Sequence, residues 1–143
     1  MKRDKDELGN LIRKYLERQL KTIANNLEVK VIFRFNDLNE KRMAPELLDS
    51  LQSTLNKHSK ELKDKADIAA FKGIPSFIAN TTFHDNPFQE SIEDLEFFWE
   101  ETGKLIKLFY CNSCNRYISV KNIDNANKKI SCGCPNLNYA WKE

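Results

Sequence analysis

The chain has 143 residues, of which 41% are hydrophobic and 31% are charged, and this composition is typical of one or two small globular domains. Its 4 Gly and 4 Pro exclude a collagen-like or low-complexity chain, and its apolar stretches are much shorter than the ~18 residues of a membrane-spanning helix. The net charge of +2 is too small for the whole molecule to attract nucleic acid, so any site for a polyanion must be local. The first ten residues mix acidic and basic side chains and have no apolar core. They predict no secretory signal and a cytoplasmic location.

Two elements are predicted in the first third of the chain. Apolar residues recur at steps of three and four from Leu8 to Leu27, which predicts a long amphipathic helix over residues 5–27. Residues 28–35 follow with apolar side chains at every second position, and a turn-like segment comes after them. This alternation predicts one strand, which needs a partner in a sheet.

The middle of the chain is predicted to be helical. Pro45 suits the first turn of a helix, and a stripe of leucines extends that helix to about Lys63. Over residues 64–84 a glycine and a proline interrupt the apolar pattern, which predicts a bent helix or two short ones. Helix-start signals follow at residues 86–89 and 91–94, and the fourth helix is expected to run to about Leu108 unless Gly103 ends it earlier.

The composition changes at Tyr110, so we expect a helical domain over residues 1–108 and a small β domain over 109–143. All four cysteines lie in the second part, as a CxxC pair and a CxC pair that are separated by 17 residues: Cys111, Cys114, Cys132 and Cys134. Each pair brings two sulfurs to one ion from a tight turn, and the spacer is long enough for a hairpin that returns the second pair to the first. Four thiolates favour structural Zn²⁺ in a closed tetrahedral site. The alternatives are four ordinary buried thiols, disulfides, or an iron–sulfur cluster.

The residues around the cysteines resemble a zinc ribbon, because apolar and aromatic side chains that suit short strands surround both pairs. This resemblance implies binding of DNA, RNA or protein. Four cationic side chains are the candidates for nucleic-acid contact: Arg116, Lys121, Lys128 and Lys129. For the last two, the alternative is a solvated hairpin tip.

Two segments of the helical part carry a second resemblance. Residues 13–17 in the first helix and residues 78–85 before the fourth helix, together with four predicted helices, resemble the HEPN superfamily. The likeness is closer to the tail domains of SMC-like ATPases from prokaryotic antiviral and DNA-maintenance systems. It covers roughly residues 8–108 and implies a mainly α fold, a four-helix HEPN-like bundle with one extra strand.

The HEPN resemblance implies a candidate catalytic set. In catalytic HEPN ribonucleases an Arg and a polar residue precede a His, and here Asn80 and His84 match the polar residue and the His, while Ala79 stands where the Arg is expected. Arg13 is the candidate to supply the missing positive charge, although Glu17, one turn away, is a natural partner for it. The alternatives are a buried polar network that fastens the first helix to this turn, and a contact with a ligand or nucleotide.

The sequence favours a zinc-binding module that binds nucleic acid or a protein partner. In this interpretation it is the terminal domain or small subunit of an SMC-like ATPase complex in antiviral defence or DNA processing, and it is not an enzyme. The alternative is a metal-independent HEPN-type ribonuclease, toxin-like, which commonly acts as a dimer. A zinc-ribbon regulator of transcription is disfavoured, because no basic recognition helix is apparent. Residues 97–99 are three adjacent aromatics that cannot all face one core, so we also expect a protein partner or a homodimer through the helical domain.

Overall fold

The described part of the protein consists of six helical segments followed by short antiparallel strands. The computed structural model describes residues 2–31, 44–81 and 91–142. The helices are α1 (Lys2–Asn26), α2 (Ala44–His58), α3 (Lys60–Ala66), α4 (Ile68–Lys72), α5 (Pro75–Thr81) and α6 (Ile92–Lys107). The strands are β1 (Tyr110–Cys111), β2 (Arg116–Tyr117), β3 (Ser119–Asp124), β4 (Lys129–Ser131) and β5 (Asn138–Ala140). The chain is mainly helical with small antiparallel sheets near its C-terminus, which confirms the coarse prediction.

The first helix is the one that the apolar spacing predicts. Leu16, Leu20 and Ile23 are each 1% exposed, because steps of three and four place them on one face of α1. That face packs against α2 and α6. The helix therefore contributes one wall of the core.

The helix that was predicted to reach Lys63 is interrupted at Ser59. The Ser59 backbone is extended, with φ −148°, and its hydroxyl accepts a hydrogen bond from the Leu62 amide at 3.2 Å, so it is the N-cap of α3. A buried serine competes for backbone hydrogen bonds, which ends α2 at His58. Leu62 nevertheless stays fully buried, so the leucine stripe predicted the core correctly although the helix is divided.

The segment that follows is two short helices, one of the two predicted forms. Asp67 adopts a left-handed conformation, with φ 42°, that ends α3, and its carboxylate accepts from the Ala70 amide at 3.4 Å as the N-cap of α4. Pro75 opens α5, where the missing amide hydrogen costs no helical hydrogen bond. The expected four helices are thus six segments in the described residues, because Ser59 and the residues from Gly73 to Pro75 break two of them.

The last helix begins at the second of the two predicted start signals. Ser91 accepts from the Asp94 amide at 3.0 Å and Asp94 accepts from the Ser91 amide at 3.2 Å, which is a capping box. Gly103 does not end this helix. Leu105 and Ile106 are buried beyond it, and their burial outweighs the low helix propensity of glycine.

The structure describes only the first half of the segment 28–35 that was predicted to be a strand. Residues 29–31 are described and are not part of a strand, and residues 32–35 lie outside the described residues. The helix-start signal at 86–89 also lies outside them.

The C-terminal strands form two small antiparallel sheets. β1 pairs with β2, with Tyr110 opposite Tyr117, and a second sheet has the order β3-β4-β5, with Ile130 opposite Tyr139. We call residues 109–142 the β unit and the helical segments before it the helical body. Buried side chains run continuously from one into the other, since those of the β unit join the core of the helical body: Phe109, Cys111, Ile118, Ile130, Cys132, Tyr139 and Trp141.

Candidate metal centre

Two tight backbone turns position the four cysteines. The first pair spans the turn between β1 and β2, where Asn115 has φ 56°. The second pair flanks Gly133, which has φ 107°, just after β4. Asparagine and glycine suit these two left-handed positions, because they tolerate such angles better than other residues.

The four sulfur atoms converge on one point. All lie within 4.8 Å of one another, and the Sγ of Cys134 is 3.6 Å from that of Cys111 and 3.3 Å from that of Cys132. These separations are much longer than the ~2.05 Å of a disulfide bond, and the four cysteines are free thiols. The predicted convergence of the CxxC and CxC pairs is therefore confirmed, and the cluster is able to hold a metal ion.

Backbone amides point at the sulfurs and change their acidity. The amide of Cys114, helped by that of Ser113, lowers the pKa of the Cys111 thiol to about 6 against the effect of burial. Burial and the neighbouring sulfurs raise the pKa of Cys114 to about 12. The pKa of Cys134 is also raised: the Asn136 amide acts to lower it, but the Cys132 sulfur, burial and the Cys111 sulfur together outweigh that amide. Four sulfurs this close disfavour a second negative charge unless a cation lies among them.

The Arg116 side chain lies against the second cysteine turn. A Cβ atom placed on Gly133 would lie 3.4 Å from the Arg116 Nη1, so the guanidinium rests against the turn between Cys132 and Cys134. Arg116 was selected in the sequence as a contact for nucleic acid, and the structure places its guanidinium beside this turn.

The cluster is partly shielded from solvent. Cys111 and Cys132 are buried, and Cys114 and Cys134 are half-buried. Four sulfurs around one point leave no open coordination position for a substrate.

The end of the β unit is fastened to the helical body by contacts that the sequence did not reveal. The His58 ring stacks on the Trp141 ring at a centroid distance of 4.9 Å and an interplanar angle of 6°. His58 Nδ1 lies 2.6 Å from the Lys142 carbonyl oxygen, and the Lys142 amide donates to the His58 carbonyl at 2.7 Å. His58 is half-buried, and no local pattern in the sequence indicates that Trp141 returns to it.

A second contact between the helical body and the β unit lies at the edge of the three-stranded sheet. The Ala140 amide, on the edge strand β5, donates to the Glu61 carboxylate at 2.9 Å. Nearby, the Lys65 ammonium lies 5.3 Å from the centroid of the Tyr139 ring. The helix α3 thus protects this sheet edge with side chains.

The other candidates for nucleic-acid contact lie on the β3–β4 hairpin. Lys121, Lys128 and Lys129 are all exposed. Asp124 accepts hydrogen bonds from the Ala126 and Asn127 amides at 3.1 Å each and so shapes the turn that carries them. The four basic candidates therefore belong to the β unit, three on the hairpin and Arg116 beside the cysteines.

The candidate ribonuclease residues are only partly described. Arg13 donates from Nη1 to Asn10 at 3.3 Å and from Nη2 to the Ser76 carbonyl at 3.3 Å, which links α1 to α5. Glu17 is half-buried on α1. Asn80 lies in α5, but its side chain and the whole of His84 lie outside the described part of the structure. The proposed catalytic set stays a prediction.

The three adjacent aromatics of α6 point in different directions. Phe98 is fully buried, whereas Phe97 is 46% and Trp99 is 50% exposed. Phe97 lines an open groove of about 380 Å³ between α4 and α6, and Trp99 lies on another face, against Tyr15 at a centroid distance of 5.2 Å.

Comparison with known proteins found no relative of this chain. No family model matches the sequence, and neither the curated proteins nor the solved structures contain a match. Among the helices that the structure describes, none has the length and apolar character needed to cross a lipid bilayer. What can be inferred about function therefore depends on the geometry of the chain itself.

Proposed function

We propose that this protein is a zinc-dependent binding module whose β unit is organised by a structural Zn²⁺ and binds nucleic acid. The observation that carries the proposal is the convergence of four free thiols from two separate turns within 4.8 Å. Zinc–sulfur bonds of about 2.3 Å in a tetrahedron place neighbouring sulfurs about 3.8 Å apart. The two closest described separations, 3.3 and 3.6 Å, are near this value. Cys111, Cys114, Cys132 and Cys134 would hold the ion as thiolates.

A bound Zn²⁺ would hold the two cysteine pairs together and supply positive charge between the sulfurs. Zn²⁺ binding displaces the protons of thiols whose pKa is raised, and it removes the repulsion between the sulfurs. A Zn²⁺ ion with four thiolates has a net charge of −2, and Arg116 is placed to offset part of it. The fit therefore extends beyond the ligands to their surroundings.

The nucleic-acid part of the proposal is supported by charge. In residues 109–143 five basic side chains, Arg116, Lys121, Lys128, Lys129 and Lys142, are opposed by two carboxylates, Asp124 and Glu143, which gives +3, and a Zn²⁺ with four thiolates would lower this to about +1. Exposed lysines on a hairpin attract a phosphate backbone without reading its sequence. The expected binding is weak and sensitive to salt.

The wider setting belongs to the same proposal. The likeness to HEPN bundles and to the tails of SMC-like ATPases favours a terminal domain or small subunit of a complex in antiviral defence or DNA processing, with a protein partner or second copy meeting the helical body. The ribonuclease alternative stays a prediction, because the side chain of Asn80 and the whole of His84 lie outside the described part of the structure.

The test measures binding of labelled nucleic acid by fluorescence anisotropy at several salt concentrations. Changing the three hairpin lysines Lys121, Lys128 and Lys129 to Glu should weaken binding by at least tenfold. It should also reduce the slope of log K against log salt, since removing a lysine that neutralises one phosphate lowers that slope by about 1. The matched control changes three lysines that are exposed elsewhere to Glu: Lys14, Lys30 and Lys107.

The control gives the same change in net charge and should retain most of the affinity. Equal losses of affinity in both triple variants would show that only overall charge matters. Absence of binding to single strands and to duplexes alike would refute the nucleic-acid function.

A further inference from the structure

Large apolar side chains are exposed along one side of α1 and α6. On α1, Leu8 is 39% and Leu11 is 64% exposed, and on α6, Ile92 is 42% and Trp99 is 50% exposed. Tyr15 joins the two rows, because its ring contacts the Trp99 ring at a centroid distance of 5.2 Å. Steps of three, four and seven residues place each row on one side of its helix. We call these five residues the α1–α6 face.

The two helices lie side by side and run in the same direction. α6 leads into β1 within three residues, and the Ser119 hydroxyl of β3 donates to the carbonyl of Asn26, the last residue of α1, at 3.5 Å. Both helices therefore end at the β unit. Because each rises by about 1.5 Å per residue, positions counted from Tyr15 on α1 are level with those counted equally from Trp99 on α6.

Gly103 keeps the α6 side of this face open. It lies one turn beyond Trp99, on the same side of the helix. A Cβ atom at this position would meet no atom from another part of the chain within 4 Å. Glycine lowers the stability of a helix interior, and no close contact among the described residues requires it here. It leaves room for another chain to approach the backbone of α6.

The exposed charges beside the α1–α6 face have opposite signs on the two helices. On α1 those between residues 10 and 25 are all basic, and they include Arg18. On α6 those between residues 92 and 101 are all acidic, and they include Glu96 and Glu100. The face is thus positive along one edge and negative along the other, so the same face turned over is its complement. Charges of the other sign lie towards the ends of the two helices: Glu7 and Lys107.

We propose that the α1–α6 face binds the same face of a second copy of this chain in a symmetric dimer. This inference rests on the part of the proposed function in which a second copy meets the helical body, and it names the surface. A two-fold axis parallel to the helices places α1 of each copy over α6 of the other, so that basic edges meet acidic edges. An axis across the helices would place α1 over α1 and bring like charges together.

This arrangement gives a binding place to Leu11, the most exposed residue of the face. Leu11 lies four positions before Tyr15, so it is level with Leu95, midway between Ile92 and Trp99 on α6 of the second copy. A side chain that inserts among the residues of a facing helix is the usual packing unit of paired helices. The dimer therefore removes from water the apolar side chain that a single chain leaves most exposed.

Arg18 meets the acidic edge where α6 is open. It lies three positions beyond Tyr15, which places it next to Gly103 and near Glu100 of the second copy. The absence of a side chain at Gly103 leaves room for the guanidinium. The two-fold axis repeats this pair, so each dimer contains it twice. Such charge pairs fix the orientation of the copies, while the apolar contacts supply most of the affinity.

The first experiment exchanges charges between copies. Arg18→Glu makes both edges acidic at this level and Glu100→Arg makes both basic, so each variant alone should dimerise about tenfold more weakly than the wild type, or worse. An equimolar mixture of the two should form a heterodimer with close to wild-type affinity, because each new charge then meets its complement. Sedimentation equilibrium measures the affinities, and native mass spectrometry distinguishes the heterodimer from either homodimer. An effect confined to one chain would not be restored by mixing.

The second experiment removes the apolar contact. Leu11→Gln should weaken the dimer about tenfold and leave the chain folded, because Leu11 is 64% exposed in the single chain. Phe97→Gln is the matched control, because Phe97 is 46% exposed but lines the groove between α4 and α6, and it should dimerise like the wild type. Gly103→Gln should weaken the dimer, because its side chain occupies the room left for Arg18. Zinc content and far-UV circular dichroism establish that each variant is folded.

Nucleic-acid binding is measured separately. An oligonucleotide short enough to meet one β unit should bind the wild type and Arg18→Glu equally. A dimer that shows the expected result on mixing but binds no nucleic acid would support the inference and refute the nucleic-acid part of the proposed function.

Three results would overturn the inference. A wild type that is monomeric at every concentration, but whose β unit binds nucleic acid through its lysines, would refute the dimer and retain the proposed function. A dimer that neither charge variant nor Leu11→Gln weakens would form through another surface. Two weakened charge variants that form no heterodimer on mixing would refute the placement of α1 over α6.

Discussion

The helical body and the β unit are held together in different ways. The helical body buries large side chains in depth, and Leu48, Leu55, Leu62, Leu95 and Phe98 each have no exposed surface. The β unit has strands of two to six residues, and two of its buried side chains are cysteines. Chains below about 40 residues usually need a metal, disulfides or a partner in order to fold. The helical body is stabilised by the apolar area that it buries. The β unit is stabilised by its contact with the helical body and, in the proposed function, by a metal ion that its cysteines hold.

The helical body and the β unit nevertheless pack against each other through buried side chains. Phe109 and Ile118 are buried against the helical core, and the His58 to Trp141 stack closes the other end. The β unit is therefore ordered from two sides, by the cysteine cluster within it and by the helical body beneath it. Substitutions made in one part at a time should distinguish the contribution of the cysteine cluster from that of the helical body.

The largest effect is expected from loss of a ligand. Cys132→Ser should remove bound zinc and unfold the β unit, because a structural zinc site supplies on the order of 10 kcal/mol of folding free energy and Cys132 is fully buried. Hydrogen exchange should show loss of protection in β3 to β5 and retained protection in α1 and α2. Ser113→Ala changes an exposed residue of the other cysteine turn, between Cys111 and Cys114, and should keep one zinc per chain. Protection of the strands in Cys132→Ser would show that the helical body alone orders them.

The next effect concerns the helical core. Phe98→Ala should lower the free energy of unfolding by about 3–5 kcal/mol, because it leaves a cavity at a fully buried position. Phe97→Ala, at the adjacent residue of α6, should cost less than about 1 kcal/mol. Urea unfolding followed by far-UV circular dichroism measures both. Equal losses of stability would mean that α6 is rotated relative to the described orientation.

A smaller effect is expected at the border. His58→Ala should destabilise the docking of the C-terminal residues by about 1–2 kcal/mol, since it removes a stacked aromatic pair and the contact of its Nδ1 with the Lys142 carbonyl. Hydrogen exchange of the Ala140 and Trp141 amides should accelerate accordingly. Lys57→Ala, at the exposed neighbour, is the control. If the two variants exchange alike, His58 is not part of the border.

The smallest effects are expected at two glycines and have opposite signs. Gly103→Ala should stabilise the protein by up to about 1 kcal/mol, because the added Cβ meets nothing within 4 Å and alanine favours the helix. Gly133→Ala should destabilise it by about 1 kcal/mol or more, because its φ of 107° strains any side chain. Melting temperatures report both signs. A stabilising Gly133→Ala would contradict the described turn between Cys132 and Cys134.

The residues explain which features could be predicted from the sequence. The periodicity of α1, the Ser91 capping signal and the cysteine spacing are local patterns, and each is found in the structure. The break at Ser59 was missed, because a serine within an apolar stripe does not reveal whether its hydroxyl will cap a helix.

Contacts between distant parts of the chain could not be predicted. The pairing of His58 with Trp141, of Glu61 with the Ala140 amide and of Tyr15 with Trp99 depends on tertiary placement that no local pattern encodes. The position of Arg116 over Gly133 is of the same kind. Of the candidate sites, the sequence therefore identified the four cysteines that converge, and their surroundings became visible only in the structure.

The most direct test of the central claim is native mass spectrometry of the purified protein, with cobalt substitution as a second readout. Our account predicts one Zn²⁺ per chain, absent from Cys132→Ser, and the visible absorption of tetrahedral tetrathiolate coordination when Co²⁺ replaces zinc. A metal-free chain whose β unit keeps its hydrogen-exchange protection, or a mass that indicates disulfides or an iron–sulfur cluster, would contradict it.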